Sequence, residues 1–329
     1  MPIAPGVRRF GGSDTAAAPT RGATFACGLP KLAFPVPHTA MTARRYLQLD
    51  VFSTRPGAGN PLGVVLDSDG LDSQDMQAIA AWLNLSETVF LLPSNDQASY
   101  RVRIFTPCCE LPFAGHPSVG AAWAALTCGR VRPHNGLLVQ QCAAGRLPVR
   151  VSGPSQAPLI ELASPPPRRL PDHPGAVPAQ LRALAAAGQS PELWDNGPRW
   201  WLLPARDAAS LRALVADMAT LRDWSIATAA TGVALFAPEP CPTHALVVRA
   251  FCPADAPDVP EDPVTGSANA LIAAWLRERA QLPGTDGCYV ASQGREVGRD
   301  GQVQLRVEAQ GDIWIGGQVQ RVIQANLHW

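Results

Sequence analysis

A chain of 329 residues is longer than one ordinary hydrophobic core supports, so two domains are expected. Apolar residues make up 47% of the chain and charged residues 16%, a balance typical of a globular enzyme and not of a disordered protein. The formal net charge is zero, which argues against a broad binding surface for nucleic acid or anionic lipid.

Residues 1–41 mix Pro, Gly, Ala and Arg without periodicity, and we predict that they form a disordered extension. They lack the continuous apolar stretch of a signal peptide, although the excess of basic over acidic residues leaves a transit peptide open. The only lysine of the chain, Lys31, lies here. Pyridoxal-phosphate enzymes and Schiff-base aldolases need a lysine in the pocket, so both classes are excluded.

The first domain is expected over residues 42–163. Alternating or short apolar runs predict strands at 47–51, 62–66, 88–92 and 100–105, with several more before residue 162. A helix is expected after Asp72 or Ser73, because apolar residues recur at helical spacing from Met76 to Leu83. The proline-rich stretch 164–167 is interpreted as the linker between domains.

The second domain is expected over residues 168–317 and repeats this mixture. The predicted helices lie near 178–187, 207–218 and 265–279, and the predicted strands lie at 200–203, 232–237, 245–251, 302–307 and 312–315. The last segment, 318–329, is a strand that could complete the first domain. Mixed strands and helices in both halves indicate an α+β protein with two similar domains.

Two of the predicted helices, 117–126 and 266–279, share a pattern. Each opens with a turn that contains a glycine, Gly115 or Gly266, and each carries a tryptophan two turns later, which indicates a faint internal duplication. A helix start offers unpaired N–H groups and a partial positive charge, and glycine lets a ligand approach them. If both starts face one cleft, they would bind a substrate carboxylate; otherwise they are ordinary, well-packed helix entries.

The eight cysteines show no C-x-x-C spacing and no disulfide-scaffold pattern, so they are interpreted as reduced thiols of a cytoplasmic protein. Cys108 and Cys109 are predicted to be adjacent strand residues that point to opposite faces, which excludes a facing thiol pair. The six histidines show no zinc-type spacing, so no metal site is expected. No apolar run is long enough to span a membrane.

Seven short motifs then follow one another along the chain. They are Asp50-Val-Phe52 with Gly59-Asn-Pro61, Leu85-Ser-Glu-Thr88, Arg103-Ile-Phe-Thr-Pro107, Glu110-Leu-Pro-Phe-Ala-Gly-His-Pro117, Glu261-Asp-Pro-Val-Thr-Gly-Ser-Ala268 and Gln293-Gly294. In this order, from about residue 45 to about residue 325, the chain resembles the PhzF-like (phenazine-biosynthesis) family. The blocks 110–117 and 261–268 are specific, whereas Gly-Asn-Pro alone is weak.

The resemblance implies a fold and an activity. The fold is that of diaminopimelate epimerase, in which two related domains each curl a barrel-like sheet around a central helix, with the active site between them. The implied activity is that of a cofactor-independent isomerase that moves a proton on a small carboxylate, similar to trans-2,3-dihydro-3-hydroxyanthranilate isomerase. Family members are commonly homodimers, so a homodimer is expected.

The resemblance also implies the site residues. Glu87 takes the position of the catalytic carboxylate. The residues expected to bind substrate are His116, Asp262, Ser267, Gly115 and Gly266. A glutamate in a closed apolar cleft has a raised pKa and can exchange protons near neutral pH. We also consider Trp194, Trp200 and Trp201 as residues that limit the size of the pocket.

By residue type alone these assignments have plain alternatives. Glu87 could be a solvated surface group. His116 and Asp262 could serve only as local hydrogen-bonding groups at helix starts.

Three rival functions differ from this one in the residues that they require. Two-thiol amino-acid racemases and epimerases of the same fold carry a cysteine at each helix start, where this chain has Ala114 and Pro263. A dinucleotide-binding enzyme would need a helix after the glycines at 57–63, where a strand is predicted. A non-catalytic small-molecule-binding protein that kept the fold stays open.

Overall fold

A computed structural model describes residues 42–94, 98–171, 176–253 and 261–329. Thr42–Trp329 forms one compact unit. The predicted disordered extension at 1–41, with Lys31, lies outside the described residues.

The described residues form eighteen strands and six α-helices. The strands are β1 (Ala43–Val51), β2 (Asn60–Val65), β3 (Glu87–Leu92), β4 (Tyr100–Phe105), β5 (Glu110–Leu111), β6 (Leu137–Cys142), β7 (Gly145–Ser152), β8 (Leu159–Ala163), β9 (Arg168–Arg169), β10 (Glu192–Asp195), β11 (Arg199–Pro204), β12 (Gly232–Pro238), β13 (Leu246–Phe251), β14 (Glu261–Asp262), β15 (Cys288–Gln293), β16 (Gly301–Val307), β17 (Ile313–Gly317) and β18 (Val319–His328). The helices are α1 (Ser73–Leu83), α2 (Gly115–Thr127), α3 (Ala179–Leu184), α4 (Ala208–Arg212), α5 (Met218–Ala227) and α6 (Gly266–Glu278). A 3-10 turn follows β15 at Arg295–Val297.

The strands of the two halves pair by one repeated rule. In the first half, β1 and β2 are antiparallel, β2 and β3 parallel, and β3 and β4 antiparallel. Strand β4 then pairs with β5 antiparallel and with β6 parallel, and β7 and β8 follow antiparallel. The order β10 to β17 repeats every one of these pairings in turn. The faint duplication in the sequence is therefore a full repeat of topology.

Two further pairings join the halves. Strand β8 pairs antiparallel with β17, so the strands form one continuous sheet. The C-terminal strand β18 pairs antiparallel with β1, with Val319 opposite Val51 and His328 opposite Ala43. The last strand thus adds to the first half of the chain. The domain limits at 163 and 168 stay a prediction.

Each half curls its strands around one buried helix. Helix α2 packs on β1, β2, β3 and β8, and α6 packs on β11, β16 and β17. Ten residues of each helix are buried, because both are apolar on nearly every side. Side chains of both helices belong to one continuous cluster of buried apolar residues, and the helices also contact each other. This architecture confirms the predicted α+β fold with curled sheets.

The helix predicted at 207–218 is wrong in part. The segment forms only α4, and a second helix, α5, follows at 218–227. The break has a local cause: Asp207 caps α4 through Ser210 N, while Asp217 starts a new helix by accepting from Thr220 N. Val215, between the two helices, is 92% exposed.

Cys108 and Cys109 are not strand residues, so this prediction is also wrong. They lie in a tight turn in which Thr106 N donates to the Cys109 carbonyl and Thr106 Oγ1 accepts from both cysteine amides. Both thiols are exposed.

Across the part of the chain that the structure describes, no helix is long and apolar enough to cross a membrane. The cytoplasmic location and the homodimer stay predictions.

Candidate active site

The starts of α2 and α6 meet at their glycines. A Cβ placed on Gly115 would lie 3.6 Å from Gly266 Cα, and one placed on Gly266 would lie 3.7 Å from Gly115 Cα. Such a Cβ on Gly266 would also come within 2.7 Å of Ile315 Cδ1 on β17. The structure therefore brings these two predicted residues together at a spacing that leaves little room for a side chain.

Both helix starts keep backbone donors available. Their N-cap residues, Ala114 and Thr265, make no side-chain capping hydrogen bond among the described residues. The first amides of each helix have no partner within the helix, and both helix dipoles place positive charge at the same point. Two such starts side by side suit an anionic group such as a carboxylate.

Glu87 is the first residue of β3, where it pairs in parallel with Leu62 of β2. Its side chain is only 17% exposed. Burial, and secondly the Asp262 carboxylate, raises the pKa of Glu87 to about 8. The carboxyl therefore carries a proton at neutral pH but can lose it within one pH unit of neutrality.

His116 is the second residue of α2 and faces Glu87. Its Nε2 lies 3.3 Å from Glu87 Oε2, and the His116 side chain is 7% exposed. Burial lowers the pKa of His116 to about 3, although a hydrogen bond to the Pro61 carbonyl opposes the shift. Two neutral groups therefore face each other here, and the contact is not an ion pair.

The same contacts fix the tautomer of His116. The bond to the Pro61 carbonyl requires a ring N–H, and Nε2 has no hydrogen-bond partner among the described residues. Nδ1 therefore holds the proton, and Nε2 presents a lone pair toward Glu87. Glu87 Oε2 likewise lacks a hydrogen-bond partner within the described ranges.

Asp262, on the short strand β14, is the second carboxylate of the site. It accepts hydrogen bonds from Asn60 Nδ2 (2.9 Å), Val264 N (3.3 Å) and Thr265 Oγ1 (2.7 Å). Burial raises its pKa to about 6, and the hydrogen bonds from Thr265, Val264 and Asn60 limit this rise. At neutral pH Asp262 is therefore ionised while Glu87 is protonated.

Two buried amides of the site were missed. Asn60 links Asp262 to the Val264 carbonyl, and Gln293 donates to the Asp262 carbonyl and accepts from Thr265 N. Both residues occur in motifs of the resemblance, Gly59-Asn-Pro61 and Gln293-Gly294, which could have drawn attention to them. Their burial depends on contacts between distant parts of the chain, so no local pattern marks it.

Ser267 lies in the first turn of α6, and its polar contacts are with Trp200 of β11 and with Asn196, which follows β10. Its hydroxyl accepts from Trp200 Nε1 at 3.1 Å, and its carbonyl accepts from Asn196 Nδ2 at 3.1 Å. Trp201 points elsewhere and stacks on Trp224 at 4.6 Å in a separate apolar cluster, so it does not limit a pocket at this site. The substrate-binding role of Ser267 stays a prediction.

No group of three or more His, Cys, Asp or Glu side chains is arranged to hold a metal ion in the described part of the chain. The chemistry that the described side chains offer is proton transfer between one protonated carboxyl, one ionised carboxylate and one neutral imidazole.

Comparisons with known proteins agree with this architecture. The family model described as phenazine biosynthesis-like protein, PhzC-PhzF, matches residues 49–323. The chain is 32% identical over 270 residues to trans-2,3-dihydro-3-hydroxyanthranilate isomerase of Pseudomonas aeruginosa, which covers 82% of this chain and 92% of the relative. It is 36% identical over 307 residues to an uncharacterized isomerase of Mesorhizobium japonicum. This match covers 87% of this chain and 99% of the relative.

Solved structures show the same fold. A phenazine biosynthesis protein of the PhzF family from Bacillus anthracis aligns with a TM-score of 0.77 at 23% identity and covers 88% of this chain and all of the other. A probable proline racemase of Agrobacterium radiobacter aligns with a TM-score of 0.59 at 13% identity, so the fold also occurs outside the family. The family match, the named isomerases and the shared fold lead to one conclusion: this chain belongs to the phenazine biosynthesis-like (PhzC-PhzF) family and is one of its isomerases.

Proposed function

We propose that this isomerase moves a proton on a small amino or hydroxy carboxylate, cyclic or unsaturated, with Glu87 as the single general acid and base. The observation that carries the proposal is the state of Glu87, a buried carboxyl with a pKa of about 8 that faces the lone pair of a neutral His116. A group with its pKa near the working pH is the most effective proton-transfer catalyst.

Substrate binding follows from the helix starts. The amides at the starts of α2 and α6 would hold the substrate carboxylate beside Gly115 and Gly266, where backbone can approach without a side chain between. The lone pair on His116 Nε2 would accept a hydrogen bond from an N–H or O–H on the substrate. These contacts would orient the reacting carbon toward Glu87 Oε2.

The proton shift has two steps. The ionised Glu87 carboxylate removes a proton from one carbon, and the electron pair left behind is delocalised over the unsaturated system. The protonated carboxyl then returns the proton to another carbon of that system. Amides at the helix starts stabilise the negative charge that develops in between. Because only the ionised form starts the reaction, kcat/KM should rise as the pH rises toward 8.

The relatives suggest the first compound to test. Two of them, from Pseudomonas aeruginosa and Pseudomonas chlororaphis, are named trans-2,3-dihydro-3-hydroxyanthranilate isomerase and are 32% and 30% identical to this chain. This compound has the carboxylate, the amino and hydroxyl groups and the conjugated double bonds that the site would recognise. Participation in phenazine biosynthesis is part of the same proposal.

The test is proton exchange in deuterated water. The protein is incubated with trans-2,3-dihydro-3-hydroxyanthranilate and with a panel of amino acids and unsaturated acids, and label uptake is followed by mass spectrometry. We expect uptake that falls by at least about 100-fold in Glu87→Gln and is unchanged in the control Glu278→Gln, which alters an exposed carboxylate. Uptake at the original rate in Glu87→Gln would refute the assignment, and saturable binding without exchange would favour a binding protein.

The same panel tests the racemase alternative. Label at the α-carbon of a saturated amino acid together with inversion of its configuration would indicate racemisation, which needs a donor on each face of that carbon. Ala114 and Pro263, at the two helix starts, provide no thiol for this purpose.

A further inference from the structure

A buried tryptophan contacts the start of α6 through its indole nitrogen. Trp200 lies on β11 and is only 3% exposed, and its Nε1–H donates to Ser267 Oγ at 3.1 Å. Ser267 is the second residue of α6 and keeps part of its surface accessible. The indole ring therefore ties the hydroxyl to the core, while the residue itself stays within reach of a ligand.

The direction of this hydrogen bond fixes what the hydroxyl can offer. An indole N–H only donates, so Ser267 Oγ must be the acceptor. No other hydrogen bond of the Ser267 hydroxyl occurs within the residues that the structure describes. Its proton is therefore left to donate to another group, and a hydroxyl that accepts one hydrogen bond is polarised and donates the next more strongly.

The backbone of Ser267 is held as well. Asn196 is buried and follows β10, and its Nδ2 donates to the Ser267 carbonyl at 3.1 Å and to Ser164 Oγ at 3.3 Å. One contact holds the carbonyl of Ser267 and another holds its side chain. Together they fix the orientation of this residue at the helix start.

The repeat of topology sets this contact against the one between Glu87 and His116. Gly232 is the first residue of β12, as Glu87 is of β3, and in both halves the next residue pairs with the last phenylalanine of the following strand. Gly232 pairs with Trp200, and a Cβ at Gly232 would collide with the Phe251 carbonyl oxygen. The second half therefore has no room for an acid–base side chain at the position of Glu87, and the indole of Trp200 meets the second residue of the helix instead.

We infer that Trp200 is a positioning residue that directs the hydroxyl proton of Ser267 toward an oxygen of the substrate carboxylate. The inference rests on the proposed binding of that carboxylate at the two helix starts. His116 Nε2 offers an acceptor at the start of α2, and Ser267 offers a donor at the start of α6. The cleft therefore selects a carboxylate that also carries an N–H or O–H group, and it holds the two groups in one orientation.

A double-mutant cycle tests this link by binding alone. The ligand is 2-aminobenzoate, which has a carboxylate and an N–H group but no hydrogen that the proposed isomerisation could move. Its dissociation constant is measured by calorimetry for the full-length protein, Trp200→Phe, Ser267→Ala and the double variant. Trp201→Phe is the matched control, because Trp201 lies on the same strand, is also buried and donates its Nε1–H to the Thr228 hydroxyl at 2.9 Å, away from this site.

We expect Trp200→Phe and Ser267→Ala each to weaken binding by about fivefold to tenfold, because a hydrogen bond to a charged group is weakened or lost. The double variant should bind no more weakly than Ser267→Ala, since Trp200 acts only through the hydroxyl. Trp201→Phe should leave the dissociation constant unchanged. The inference would be overturned by losses that multiply in the double variant, as they would if Trp200 only packed the site, by an unchanged constant in Ser267→Ala, or by a lack of saturable binding to the unaltered protein.

The indole resonances give a second test within one unaltered chain. The protein is labelled with nitrogen-15 at the tryptophan indoles, and the signals of Trp200 and Trp201 are assigned through their contacts to neighbouring residues. Addition of 2-aminobenzoate should shift the Trp200 N–H resonance and leave that of Trp201 in place, and the shift should largely vanish in Ser267→Ala. A Trp200 resonance that ignores the bound ligand would overturn the inference even where Trp200→Phe does not fold.

Deuterium exchange tests the proposed function separately. Exchange that proceeds while the two losses multiply would retain the isomerase and refute the role of Trp200. Coupled losses in a protein that catalyses no exchange would refute the isomerase and retain the role of Trp200 in binding a carboxylate.

Discussion

The starts of α2 and α6 face each other, yet they are equipped differently. Beside the α2 start, Glu87 Oε2 and His116 Nε2 lie 3.3 Å apart, and neither has a hydrogen-bond partner in the described ranges. Beside the α6 start, Asp262 accepts three hydrogen bonds and Gln293 forms four. One start carries buried polar atoms without partners, and the other carries a network of hydrogen-bonded side chains.

The groups at the two helix starts therefore affect stability in different ways. Buried groups without partners cost stability, and they persist at a site where a substrate or a proton completes them. A bonded network restricts the second carboxylate to one geometry, so its charge acts on Glu87 from a fixed place. Substitutions on the two sides should therefore have opposite consequences for stability.

The largest effect is expected for Glu87→Gln at high pH. Burial raises the pKa of Glu87 from 4.5 to about 8, so between these values the folded protein holds a proton that the unfolded chain has lost. The stability of the native protein should fall as pH rises through that window. Glutamine cannot ionise, so the variant should be more stable than the original by about 2–4 kcal/mol at pH 9 and nearly equal to it at pH 5. Urea unfolding at both pH values measures this, and parallel pH dependence in the two proteins would contradict it.

Gln293→Ala should act in the opposite direction on the scaffold side. It removes the acceptor of Thr265 N and the donor to Thr265 Oγ1 and to the Asp262 carbonyl. Buried polar groups are then left without these partners. We expect a loss of about 2–3 kcal/mol in the free energy of unfolding, at pH 5 and pH 9 alike. Gln304→Ala, at a half-buried position on β16, is the control and should cost less than about 0.5 kcal/mol. A loss confined to one pH would show that the network responds to charge and does not simply brace the helix.

The paired glycines allow a direct comparison of the two helix starts. Gly266→Ala would place a Cβ 2.7 Å from Ile315 Cδ1, whereas Gly115→Ala would place one 3.3 Å from the same atom. The first should destabilise the protein by about 1–2 kcal/mol and the second by roughly half as much.

Thermal unfolding of both variants tests this order. The added substitution Ile315→Val removes the obstructing Cδ1 and should recover most of the loss in Gly266→Ala. Equal losses in the two glycine variants, with no recovery, would mean that Ile315 Cδ1 is not the atom that obstructs a side chain at position 266.

The smallest effect links the two sides. Asp262→Asn keeps an acceptor for Asn60 but removes the negative charge that helps to raise the pKa of Glu87. Burial remains, so the pKa should fall by only about one unit. The midpoint of the pH dependence of deuterium exchange should shift to lower pH by that amount, and an unchanged or higher midpoint would contradict the electrostatic link.

Much of the fold could be predicted because its signals are local. The bounds of α1, α2 and α6 follow from apolar spacing and agree with the structure within two residues. The break between α4 and α5 was missed because the choice between one helix and two depended on whether Asp217 continues a helix or caps a new one. The repeated pairing of strands was only faintly visible, because its parallel pairs join segments with a helix between them.

The candidate site was predictable in part, because Glu87, His116 and Asp262 lie in short motifs of the sequence. Glu87, His116 and Asp262 were predicted through a resemblance, and the structure brings them together. Their protonation states depend on burial and on each other's charges, which chain segments far apart create only on folding. Asn60 and Gln293 become partners of Asp262 through contacts between distant parts of the sequence. The contact of Asn60 spans 202 residues, and that of Gln293 spans 31. No pattern within one segment contains that information.

The protonation state of Glu87 at neutral pH can be measured by titrating this one carboxyl group. Carbon-13 NMR of protein labelled at the glutamate side-chain carboxyl carbons, with Glu87→Gln to assign the resonance, reports the ionisation of this group alone. We expect the Glu87 resonance to titrate with a midpoint near 8. A midpoint near the ordinary value of 4.5 would contradict it.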